Sequence, residues 1–178
     1  GALNVTTVAV ASGLSVVAGS GPNTITATAL TAGQTLTLTG SSAATVALNA
    51  GNLSAGAYTG NLTATGGAGA NTITAGSGTN TITGGGGADI LTGGTGSDTF
   101  NFASAANLAA ATTIAGGAGS DTIQMTTAAT LTDAGFLKAS SIETLRLTGA
   151  STITLGVNAA SAGIVNVVTG TGATSITS

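Results

Sequence analysis

The chain has no cysteine, histidine or tryptophan, and it has a single proline (Pro22) and a single methionine (Met125). Without cysteine there is no disulfide framework and no thiolate metal site. Without histidine or cysteine the usual nucleophile–base pairs and transition-metal centres cannot be built. Charge is just as scarce, since only 4% of the residues are charged. The two bases, Lys138 and Arg146, cannot neutralise a phosphate backbone, so a nucleic-acid partner is excluded. No run of apolar residues is long enough to span a bilayer as a helix, which excludes insertion of that kind. The acids are Asp89, Asp98, Asp121, Asp133 and Glu143. Three of them fall inside a repeat, leaving no free carboxylate pair for hydrolysis. The expectation is a protein that is not an enzyme.

Glycine is what the chain has in abundance, 30 of 178 residues, with threonine, alanine and serine filling most of the rest. Between Gly66 and Asn101 one nine-residue unit recurs four times without a gap: GGAGANTIT, AGSGTNTIT, GGGGADILT and GGTGSDTFN. A further copy, GGAGSDTIQ, spans Gly116 to Gln124. The glycine-rich half of each unit is a turn, and the other half is a short strand with one large apolar residue in eighth place (Ile73, Ile82, Leu91, Phe100, Ile123). One unit cannot bury that residue alone, so units must stack. Two units close one coil, so copies eighteen residues apart lie over one another. The period predicts an all-β fold, a right-handed parallel β-roll or β-helix solenoid.

Stacked turns of this kind present backbone carbonyls without ladder partners, and the sixth position adds a side-chain oxygen from Asp89, Asp98 or Asp121. An all-oxygen donor set with flexible geometry suits calcium. Magnesium demands a stricter octahedron, and zinc wants nitrogen or sulfur. Asp or Asn after glycine also serves tight turns for backbone reasons alone. Strict tandem register favours the ion.

GGGGADILTGGTGSDTFNF resembles the repeats-in-toxin (RTX, hemolysin-type) nonapeptide GGxGxDxUx. The resemblance implies calcium bound between turns one coil apart. Carried onto this chain, one site uses Gly67, Gly69 and Asn71 with Gly84, Gly86 and Asp89. A second uses Gly76, Gly78 and Asn80 with Gly93, Thr95 and Asp98. Asn replaces Asp in both, which removes one charge and weakens the ion. The turns AGSGPNTIT (Ala18 to Thr26) and AGSGTNTIT are expected to be ladders of stacked asparagine rather than metal sites. The strongest site uses Gly94, Gly96 and Asp98 with Gly116, Ala118 and Asp121, if the insert Phe102 to Ala115 lengthens one coil so that both aspartates end on the same side.

A single continuous solenoid is expected, with irregular longer coils over 1–65, calcium coils over 66–124 and longer coils again over 125–178. FASAANLAAA (Phe102 to Ala111) and Thr132 to Ser140 read as short helical turns on its flank, the second capped by Thr132 or Asp133. Glu143 and Arg146 read as solvated edge charges on the strand Ile142 to Leu147. TGTGATSIT, at Thr169 to Thr177, reads as a degenerate unit. The segment LTDAGFLKASSIETLRLTG is similar to a module of large RTX-type bacterial surface-layer and β-strand-repeat proteins. That likeness implies a secreted structural protein that self-assembles at the cell surface as a lattice or filament, with itself and cell-surface polysaccharide as partners. The chain is expected to be a fragment of a longer protein, or else a unit whose ends stack. The alternatives are an adhesin or ice-binding solenoid, suggested by the Thr-x-Thr pairs, and a stabilising module of a larger secreted protein. Thr72 and Thr74 are expected to stack on Ile90 and Thr92, and Thr81 and Thr83 on Thr99 and Asn101, so that the ranks break after one coil.

Overall fold

The computed structural model describes residues 1–172 and 174–178. Its strands are short because the sequence allows little else: an apolar residue between two threonines, then a glycine turn. Nine of them form one sheet, in the order Asn4–Thr6, Asn23–Ala27, Ala44–Leu48, Leu62–Thr65, Thr81–Thr83, Thr99–Phe102, Thr122–Met125, Thr144–Leu147 and Asn166–Val168. Seven form the facing sheet: Leu14–Val17, Thr35–Thr39, Asn52–Ser54, Thr72–Thr74, Ile90–Gly94, Thr113–Gly117 and Ala139–Ser140. Thr130–Leu131, Thr152–Thr154 and Ser175–Thr177 make a third, small sheet beside the last coils. Pairing is parallel throughout the described residues, and through the middle of the chain successive strands fall alternately in the two large sheets. That is the expected β-solenoid.

The core is two facing ladders of apolar side chains. Ile25, Val46, Ala64, Ile82, Phe100, Ile123 and Leu145 are successive partners on the long sheet. Leu36, Leu53, Ile73, Leu91 and Ile114 are successive partners on the other. Both ladders are buried, and every eighth-position residue of the repeat is 0% exposed. The hydrophobic effect, which no single coil can satisfy, therefore fixes the stacking register.

Helix α1 (Ala105–Ala110) occupies the insert after Phe102, and Ser104 caps it through the Asn107 amide. The second expected helical stretch is a single 3-10 turn, Asp133–Phe136, whose N-cap Thr132 makes no side-chain capping bond. Asp133 instead caps α2 (Val157–Ala162), accepting from the Asn158 and Ala159 backbone amides. These bonds hold its carboxyl below the usual range. The degenerate unit Thr169 to Thr177 includes Ala173, which lies outside the described residues. Among the described residues no helix is long and apolar enough to cross a membrane.

The expected breaks in the threonine ranks are present, at Ile90 opposite Thr72 and at Asn101 opposite Thr83, but one rank runs on. Thr24, Thr45, Thr63, Thr81, Thr99, Thr122 and Thr144 are partners in one unbroken line along the long sheet. The neighbouring rank (Thr26, Ala47, Thr65, Thr83, Asn101, Gln124, Arg146) is the interrupted one. The nonapeptides alone do not contain this line. The irregular early coils and the coil after the insert return a threonine to the same place.

Candidate metal centre

The turns between strands fall on two edges of the roll. One edge carries turns 66–71 and 84–89, and the other carries turns 75–80, 93–98 and 116–121. On both edges the sixth-position side chain of one turn accepts a hydrogen bond from the sixth-position backbone amide of the turn before. Asn71 N donates to Asp89 Oδ1 at 2.8 Å, Asn80 N to Asp98 Oδ1 at 2.8 Å, and Asp98 N to Asp121 Oδ1 at 2.8 Å. The first two links span 18 residues and the third spans 23. The insert thus lengthens one coil without moving its last turn off the edge, and it brings Asp98 and Asp121 together.

Glycine is required at these turns because the coils touch through their backbones. Gly94 and Gly117 have φ of +115° and +109°, and a Cβ on either would run into the carbonyl of the turn below (Gly76 for Gly94, Gly94 for Gly117). At Gly93 a Cβ would collide with both Asp98 Oδ2 and the Gly116 carbonyl. A carboxylate oxygen and a carbonyl oxygen therefore share the small space beside Gly93, and the carboxylate oxygen has no hydrogen-bond partner.

The electrostatics follow from that crowding. Asp98 and Asp121 are 1% and 0% exposed, and the Oδ2 of each has no hydrogen-bond partner. Burial raises the Asp98 pKa to about 6, opposed by the hydrogen bonds from Asn80 and reinforced by the Asp121 charge. Burial also raises Asp89 and Asp121, in each case against a backbone hydrogen bond that favours the anion. Buried acceptors that face other acceptors need a proton or a cation. The donor set offered here is carboxylate and carbonyl oxygen, which fits calcium.

The asparagine turns solve the same problem without an ion. The Asn80 side-chain nitrogen donates to the carbonyls of Gly78 (2.8 Å), Gly93 (3.2 Å) and Gly76 (3.5 Å). Gly76, Gly78, Asn80, Gly93 and Asp98 of the second expected site are therefore gathered around an amide that supplies the positive partner. Thr95 joins them only through its own amide, which donates to the Gly76 carbonyl at 3.3 Å. Asn23 does likewise, donating to the carbonyls of Gly21, Ala43 and Gly19. These are not ladders of stacked asparagine: Asn23 aligns with Ala44, and Asn80 is linked to Asp98. Each amide closes its turn against carbonyls instead.

On the other edge Asn71 turns away from the first expected site. Its nitrogen donates to the carbonyls of Gly51 (2.6 Å) and Asn49 (3.2 Å), and its oxygen accepts from Gly67 N (3.0 Å). Gly67 O accepts from Gly86 N, and Asp89 stands in the turn that follows. Gly84 lies against the Asp89 carboxylate, whereas Gly69 has open space beside it. Above that turn sits α1, whose Asn107 donates to the Gly85 carbonyl at 2.7 Å. In the third expected site Gly94 O accepts from Ala118 N at 2.9 Å, Gly96 O faces Gly119, and Gly116 O faces Asp98.

Glu143 is the residue of this edge that sequence reasoning missed. Its Oε2 accepts from Asp121 N at 2.7 Å, continuing the edge by one more turn. The signal available was its position one residue before a Thr-Leu-x-Leu strand, where the repeats carry Asp.

A fold of this class with acid-bearing, glycine-lined turns is a calcium-binding β-solenoid, and the comparison with known families agrees. Residues 65–100 and 109–124 match the RTX calcium-binding nonapeptide repeat in four copies. The chain therefore carries RTX repeats, and calcium is the ion such repeats bind. No curated protein and no solved structure matches the chain.

Two outcomes are expected. The Asp98 pKa in the fold lies above its ordinary value of 3.8, at about 6. The calcium-free fold therefore holds an extra proton between those values, and its stability falls as pH rises through that window. Thermal melts in metal-stripped buffer should show a higher Tm at pH 5 than at pH 7, with the order reversed at saturating calcium. Asn80→Asp exchanges an internal donor for a further acid on this edge, beside Asp98. It should destabilise the calcium-free fold by about 1–3 kcal/mol in urea unfolding and add one calcium per chain by equilibrium dialysis.

Proposed function

We propose that this chain is a structural, calcium-binding extracellular protein that self-assembles in a bacterial surface layer or surface-associated filament. The observation that carries the reading is the pair Asp98 and Asp121, buried, joined coil to coil, each with an oxygen that has no donor. Calcium between them turns repulsion into cohesion, so the ion governs whether these coils close. Calcium is abundant outside cells, which suits such a switch to an exported chain. The protein has no catalytic role in this reading: its buried acids are committed to the turns, and no histidine or cysteine is present. Its outer faces are short threonine and serine strands, suited to packing against copies of itself or against cell-surface polysaccharide.

Calcium titration, followed by far-UV circular dichroism and light scattering together, should give a gain in β-structure and in particle size, both reversed by EGTA. Asp98→Asn should keep the β-fold in EGTA while weakening the calcium response at least tenfold. A chain already β-rich and monodisperse in EGTA, and unchanged by calcium, would sink the reading.

The unbroken threonine rank supports a second reading, an ice-facing solenoid, since it sets hydroxyl and methyl groups at the regular strand spacing of about 4.8 Å. The interrupted neighbouring rank counts against it. Thermal hysteresis decides: activity abolished by Thr63→Tyr and Thr81→Tyr would establish that reading, and its absence would remove it.

A further inference from the structure

We propose that Asp121 and Glu143 hold a calcium ion one coil beyond the last RTX repeat, with the Ser141 carbonyl as a third ligand. The inference rests on the calcium reading of the repeats and extends it to a segment that lacks the nonapeptide.

Strand register brings the parts together. Ile114 and Ala115 pair with Ala139 and Ser140, which sets Gly116 beside Ser141. Thr122 pairs with Thr144, which sets Asp121 beside Glu143. The six-residue turn 116–121 therefore stacks on a turn of only three residues, 141–143. The longer side chain of glutamate spans the gap left by the missing backbone. Its Oε2 reaches Asp121 N at 2.7 Å and reproduces the link that Asp121 makes to Asp98.

The first position of the short turn is equally specific. Ser141 has φ of +54°, the one positive value outside glycine among the described residues. Such a conformation costs roughly 1 kcal/mol in an L-residue and persists only where the surroundings impose it. A Cβ on Gly116 would collide with both the Ser141 carbonyl and Asp121 Oδ2. These two oxygens thus share the space beside Gly116, as the Gly116 carbonyl and Asp98 Oδ2 share the space beside Gly93.

Asp121 is 0% exposed, and its Oδ2 has no partner. An oxygen buried against a carbonyl, with a second carboxylate adjacent, calls for a cation between them. The Glu143 charge adds to the burial that raises the Asp121 pKa. With every donor an oxygen and the upper turn shortened, the site suits calcium with water completing its shell. Fewer protein ligands make it weaker than the Asp98–Asp121 site. Glu143, expected to be a solvated edge charge, is instead the last acid of the metal edge.

The test is calcium stoichiometry and affinity by isothermal titration calorimetry on the whole chain, with far-UV circular dichroism as the fold control. Glu143→Gln should lose one calcium per chain, or weaken the lowest-affinity phase at least tenfold, and keep the phase that Asp98→Asn removes. Glu143→Asp keeps the charge but retracts it by one methylene, and it should weaken the same phase; it serves if the glutamine variant fails to fold. Titration of both Glu143 variants indistinguishable from the parent protein overturns the proposal and leaves the repeat sites standing. Absence of any calcium uptake by the parent chain overturns both.

Discussion

Oxygen facing oxygen is the constraint on which this molecule turns. Tight glycine turns let coils stack at backbone contact, and the same closeness points carbonyls and sixth-position side chains at one another. The apolar ladders supply the drive to stack, but they cannot supply a positive partner for those acceptors. Each turn must find one. At Asn23 and Asn80 it is the side-chain amide of the residue itself. At Gly85 it is Asn107, sent from α1. At Asp98 Oδ2 and Asp121 Oδ2 no protein group provides it, and these two oxygens are left needing a proton or a cation.

Seen this way, asparagine and aspartate in sixth place are not strong and weak versions of one ligand. The two side chains have nearly the same shape, but one carries a donor into the carbonyl cage and the other carries a charge. Exchanging them alters what the turn needs from solution while leaving the path of the backbone alone. The shared link from one sixth-position amide to the next side chain, present at Asn80, Asp98 and Asp121 alike, explains why both residues fit the same register.

Much of this was legible in the sequence because the repeat is short and strict. The eighteen-residue stacking, the buried eighth position and the meeting of Asp98 with Asp121 all follow from counting residues and from the turn chemistry of glycine. What escaped was of two kinds. The direction of an asparagine amide depends on which carbonyls surround it, so Asn71 and Asn80, alike in sequence, turn toward different coils. Contacts outside the repeat also have no period to betray them. Glu143 joins the line of linked acids through a shortened turn, Asp133 caps a helix 25 residues away, and the threonine rank continues through coils of unequal length. In each case strand register, not local sequence, decides the neighbour.

The amide-closed turns divide the chain into two materials. The amides of Asn23 and Asn80 give the carbonyls around them a donor from within the chain, whereas Asp98 and Asp121 each keep a buried oxygen without one. In a stack where each coil is stabilised by its neighbours, the proposed calcium role makes the first group a template and the second a calcium-dependent extension of it. Under that proposal the length of ordered rod would follow the surrounding calcium level, graded along a single axis.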